Sequence, residues 1–226
     1  MQTRLDFLTT SAGAATVLAA SGAAPKPTPD AAIPAFKFDT AAFDAALETT
    51  ATHRHLFAST KMDGGDVLGA MRGVFDAYAT LGTAASDMRP VAVLYHGASI
   101  CLGFDDTIWN QYFIPMHAKF PESITKDFDT VYKANARGNP CLHKTGDKDD
   151  SSVEGLVADA GARFFVCNHA ARGVATMTAH ALKMDPTTVY QAFASHLVPN
   201  TMLVPAGVWA VHAIQERRYT YLQTTL

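Results

Sequence analysis

Basic residues are not in surplus. The chain has 18 Lys and Arg against 21 Asp and Glu, a net charge of -3, and its cations are scattered rather than gathered into the stripe that a phosphate backbone requires. Nucleic acid is therefore not the expected partner. Diagnostic motifs are also missing: there is no Gly-x-Gly-x-x-Gly fingerprint, Gly-x-Ser-x-Gly elbow, His-Glu-x-x-His, Cys-x-x-Cys or Cys-x-x-Cys-His. No segment approaches the ~20 strongly apolar residues of a membrane span. Cysteine is scarce, and three residues (Cys101, Cys141 and Cys167) allow at most one internal disulfide. That excludes a disulfide-stapled scaffold and leaves at least one thiol free or paired with another chain. Cys141 with Cys167, and Cys101 with Cys167, both remain open as pairs. What is present is a chain of 226 residues, 48% hydrophobic and 17% charged, long enough to bury one sizeable core.

The first residues carry an address. Met1-Gln2-Thr3-Arg4 precedes a mildly apolar stretch from Leu8 to Ala20 and then the small residues Ser21 to Ala24, the order of an export signal. Residues 1–24 are expected to be that signal, cleaved near Ala23 or Ala24, and a retained leader implies membrane association instead. Thr3-Arg4-Leu5-Asp6-Phe7-Leu8 resembles the twin-arginine motif with Leu5 in place of the second arginine, so both that route and general secretion stay open. Either route ends in a bacterial periplasm or cell envelope. Residues 25–38, with four prolines between Pro25 and Pro34, read as an extended linker, and residues 39–226 as the folded domain.

Within it, residues 39–90 are expected to form a helical extension. Asp39 or Thr40 caps a first helix that carries Phe43, Leu47 and Thr50 and runs to about Phe57, on which His53 and His55 would not share a face. Gly64-Gly65-Asp66 opens a second, in which Val67, Leu68, Met71, Val74, Phe75, Tyr78 and Leu81 recur at helical spacing until Gly82. This stripe reads as core.

Residues 91–226 read as the core of the fold. Val91 to Tyr95, Arg163 to Cys167 and Thr201 to Val204 are continuous apolar runs suited to strands buried on both faces. Between and after them lie helical segments: one opened by a capping box at Ser151 to Glu154, then Ala170 to Met184, one begun by Asp185-Pro186, and Val208 to Arg217. The alternation predicts a three-layer α/β/α fold with an open, mostly parallel sheet. Pro121 to Asp150 is the long polar excursion.

Ligands of such sheets bind beyond the carboxyl ends of the strands, which directs attention to His96, to Cys167-Asn168-His169 and to Pro205-Ala206-Gly207. Cys167 immediately precedes a helix start, where free N–H groups and the dipole favour an anion such as a thiolate, with His169 and Arg172 adding to the effect. A buried cysteine acting as a small hydrophobe is the plainer alternative.

Leu94-Tyr95-His96-Gly97-Ala98, Val166-Cys167-Asn168, Leu203 to Val208, Gln215-Glu216 and Tyr219 to Leu222 together resemble the DsrE-like family of small sulfur-handling proteins, over roughly Val91 to Leu222. The resemblance implies a flavodoxin-like α/β/α sheet, assembly into homo-oligomers, and in some members sulfur carried as a persulfide. Of the family's functional residues it places Cys167 alone, at the end of the central strand. His96, Asn168, His169 and Arg172 are then the expected ligand-binding residues, for a sulfur compound or another small molecule. The leader, the residues before Val91 and the excursion with Cys141-Leu142-His143 depart from the family's compact form. No cofactor is expected on this reading. The competing chemistry is a metal or haem held by soft ligands, with Cys141, His143 and His117 as candidates. From a different class, the same chain reads as a non-catalytic module that binds a small ligand or metal, or builds an assembly in a cell-envelope complex.

Overall fold

The computed structural model describes residues 33–121, 125–126, 137–147 and 150–224. The expected leader, most of the expected linker and parts of the excursion lie outside these residues. Five parallel strands form one sheet in the order β4-β3-β2-β1-β5: β1 (His53–Ser59), β2 (Met88–Leu94), β3 (Arg163–Cys167), β4 (Thr201–Val204) and β5 (Thr220–Gln223). Helices cover both faces, giving the three-layer α/β/α open sheet. On one face lie α2 (Asp66–Thr80), α3 (Val153–Ala160), α4 (Asn168–Leu182) and α5 (Pro186–Ser195), together with a helical run at 106–119; on the other lie α1 (Thr40–Leu47) and α6 (Gly207–Gln215).

This division follows from handedness. The chain steps from β1 through β4 in one direction, so right-handed crossovers all fall on one face; the return from β4 to β5 reverses direction and puts α6 on the other. Alternate residues of each strand serve the two cores. Phe57, Ala92, Leu94, Phe164 and Val166 meet the first group of helices, while Leu56, Val91, Val93 and Phe165 meet α1 and α6.

The largest departure from the sequence reading is β1. The expected first helix ends at Leu47 rather than near Phe57, and the residues read as its second half form a strand of the sheet, with β2 on one side and β5 on the other. Residues 39–90 are thus not a helical extension; the sheet begins within them. Thr49, Thr50 and Thr52 explain the stop, since β-branched and hydroxyl side chains lose least outside a helix. On a strand, residues two apart share a face. His53 and His55 accordingly lie parallel, with ring centroids 6.5 Å apart and planes inclined by 5°, both against Tyr78 of α2.

Other expectations shift by up to three residues. β3 and β4 begin and end as the apolar runs do, and β2 starts earlier, at Met88. The cap of α3 is Ser152, whose hydroxyl accepts from the Gly155 N–H at 3.0 Å, rather than Ser151. Asp185 caps α5 with Pro186 at its first position, as its sequence predicts. Leu81 lies past the end of α2 and is 82% exposed, so it does not belong to the core stripe.

Gly207 marks the tightest approach between α6 and the sheet. A Cβ there would lie 1.8 Å from Tyr95 Cβ and 3.0 Å from Tyr95 Cα, so only glycine admits the backbone contact. We expect Gly207→Ala to lower stability by about 3 kcal/mol or more, as overpacking against backbone does; chemical denaturation of the purified protein measures it.

Candidate functional site

Adjacent strands whose following helices leave on opposite faces leave a crevice between their carboxyl ends, and ligands of open α/β sheets bind there. β3 and β4 are that pair, because β3 feeds α4 on one face and β4 feeds α6 on the other. Cys167, paired in register with Val204, is the last residue of β3 and lies at this position. It is also the N-cap of α4: the Ala170 N–H donates to Cys167 Sγ at 3.4 Å. The helix therefore starts at Asn168, two residues before the sequence reading placed it. The thiol is free but only 5% exposed.

The expected neighbours divide into two groups. Asn168 is buried and accepts at Oδ1 from the Tyr190 hydroxyl at 2.6 Å. Burial pushes the Tyr190 phenol up, which keeps it a donor. Arg172 lies under the same ring, with its guanidinium carbon 5.3 Å from the Tyr190 centroid. Its fork, expected to face the thiol, donates to two successive main-chain carbonyls, Pro34 at 2.6 Å and Ile33 at 2.8 Å. His96 and His169 are exposed, His96 in the turn after β2 and His169 on the first turn of α4. Ser99 closes the His96 turn: its hydroxyl accepts from the His96 N–H at 3.1 Å. It is fully buried and presents no nucleophile to solvent.

The structure thus adds Tyr190 and the carbonyls of Ile33 and Pro34 to the site. Tyr190 belongs to the ordinary apolar pattern of α5, and the partners of Arg172 lie far away in sequence. Neither left a local signal.

The two other thiols are elsewhere. Cys101 is fully buried, its carbonyl accepting from Trp109 Nε1 at 2.8 Å. Cys141 borders a cavity of 270 Å³ with Gly64, Gly65, His143, Asp150 and Ser152 among its walls, and burial pushes its thiol up to about 11. Both nitrogens of His143 face carboxylates. Its Nε2 is 2.7 Å from Asp106 Oδ2 and its Nδ1 is 3.3 Å from Glu154 Oε1, so the imidazole ties the excursion to two helix starts. His117 is half-buried on the helical run. Among the described residues, no three His, Cys, Asp or Glu side chains are grouped so as to hold a metal.

A larger concavity of 850 Å³ opens at the opposite end of the sheet, near Asp44, Glu48, Arg54 and Arg217. Its Arg54 donates to the carbonyls of Ala51, Thr49 and Arg217, which makes the group a structural clasp between α1, β1 and the end of α6. It lies away from the carboxyl ends, where the fold offers its chemistry.

The Asp106 carboxylate, followed by Glu154, raises the His143 imidazole above its ordinary value. Its ionic tie is present when His143 is charged and is lost as pH rises through that raised value. An NMR titration should find His143 above an ordinary exposed histidine of about 6.5, and Asp106→Asn should bring it back toward that value.

No family model matches the sequence, and no curated protein matches it either. Among solved structures, a protein of unknown function from Methanobacterium thermoautotrophicum is similar at 15% identity and a TM-score of 0.35, over 76% of this chain and 98% of the other.

Proposed function

We propose that this chain is an exported DsrE-like protein that takes up sulfur on Cys167 as a persulfide and relays it. The observation that supports the reading most is the place of the thiol: it ends β3 at the β3–β4 crevice, with the Ala170 N–H directed at its sulfur. Negative charge on that sulfur would meet a backbone donor at the start of a helix of 15 residues. The step balances with a polysulfide as co-reactant. The Cys167 thiolate attacks a sulfane sulfur, one S–S bond forms and one breaks, and a polysulfide shorter by one sulfur leaves with the bonding pair. No separate oxidant is needed. Asn168, the residue after Cys167, is held by the Tyr190 hydroxyl, and His96 and His169 are exposed on the turn after β2 and on the first turn of α4.

A second reading draws on the thiol's 5% exposure. In it the protein is a non-catalytic module of a cell-envelope complex, using the crevice for a small ligand or its surface for assembly, and Cys167 is a capping and packing residue. Intact mass after polysulfide treatment separates the two. The sulfur reading expects sulfur-sized increments on the wild type, their retention in Cys141→Ala and their loss in Cys167→Ser, which keeps an oxygen acceptor for the helix cap. Absence of increments on the wild type, or equal increments on Cys167→Ser, leaves the second reading standing.

A further inference from the structure

Residues 33–38 link the two helices that follow β3 and β4. Residues 33–38 have no regular secondary structure, yet they are anchored at both ends. At one end, the Arg172 fork of α4 holds the carbonyls of Ile33 and Pro34, while Ile33 and Phe36 pack on the core cluster that contains Cys167. At the other, Phe38 stands edge-on to Trp209 of α6, with centroids 5.2 Å apart and planes at 83°, and packs against Phe43 of α1 at 5.6 Å. Phe36 and Phe38 are themselves neighbours at 6.2 Å. Arg172 belongs to the helix that leaves β3 on one face, and Trp209 to the helix that leaves β4 on the other. Residues 33–38 are thus tied to both helices.

We propose that residues 33–38 are a strap across the mouth of this crevice, closed by Arg172 and Trp209, and that lifting it exposes Cys167. The proposal rests on the reading of Cys167 as the reactive thiol for its biological sense, but not for its physics. Few bonds hold the strap. Its described ties are two carbonyl hydrogen bonds and half-buried aromatic contacts, while Pro34, Ala35 and Lys37 are exposed. Segments of this kind open locally at far lower cost than the sheet unfolds. The same contacts account for the commitment of Arg172: both of its terminal nitrogens are used by the strap, and its face is stacked on Tyr190.

The test is a pulse of a small alkylating reagent on the native full chain at fixed pH, with peptide mapping to read each thiol separately. Three variants loosen the strap: Arg172→Gln removes the fork, Arg172→Lys keeps the charge without the fork, and Phe38→Ala empties the seat on Trp209. We expect Cys167 to be modified about tenfold faster in the two Arg172 variants, the order of one charged hydrogen-bond pair lost, and faster than wild type in Phe38→Ala, with Cys101 and Cys141 unchanged. Loss of positive charge in Arg172→Gln would by itself slow a thiolate reaction, so acceleration there has the sign of uncovering. An unchanged Cys167 rate in all three variants, or equal acceleration of all three thiols, overturns the strap. Polysulfide uptake on the same proteins distinguishes the two ideas. Faster labelling without sulfur uptake sinks the relay and leaves the strap; uptake by wild type with unresponsive labelling does the reverse.

Discussion

The handedness of the crossovers is the constraint from which the site descends. Right-handed connections allow a chain moving steadily across a sheet to cover one face only, and the second face is reached by turning back. This chain turns back once, between β4 and β5, and that single reversal sets α4 and α6 on opposite sides of neighbouring strands. The cleft at β3 and β4 is therefore a property of topology before it is a property of any side chain. Cys167 lies at this cleft because its place in sequence coincides with the end of β3.

Close packing then limits what this end of the sheet can accommodate. Gly207 brings α6 onto Tyr95, and Gly103 lies where a Cβ would stand 2.3 Å from Val166 Cγ2. Both contacts draw covering segments down onto the carboxyl ends of β2 and β3. The thiol consequently sits in a tight surround rather than an open basin. A segment as lightly tied as the proposed strap could open locally without disturbing the sheet.

Much of the architecture could be read from residues alone, and the failures have physical causes. β2, β3 and β4 are continuous apolar runs because both faces are covered, and α2 and α5 carry their own periodicity and caps. β1 was hidden because its first half, His53-Arg54-His55, is polar: it sits near the amino rim, where Arg54 donates to the carbonyls of Thr49 and Ala51 in the connection from α1 and the histidines pack on Tyr78. β5 was hidden because all four of its residues are exposed, so no apolar pattern marks it. At the site, the position of Cys167 followed from strand and helix signals that are local. The roles of Arg172 and Tyr190 did not, since a guanidinium near a thiol in sequence does not disclose that carbonyls from the other end of the domain have claimed it.

The outermost strand carries a kinetic consequence. β5 pairs His55 with Thr220 and Ala58 with Gln223, joining segments from nearly opposite ends of the described chain. Pairing at such sequence distance is among the last to form, since the loop closed is almost the whole domain. Until then β1 must wait with one flank of its backbone unpaired, presenting Leu56, Phe57 and Ala58 to whatever strand is nearby. A nascent copy of this protein is thus most vulnerable to wrong partners during the interval between the appearance of β1 and the arrival of its own tail.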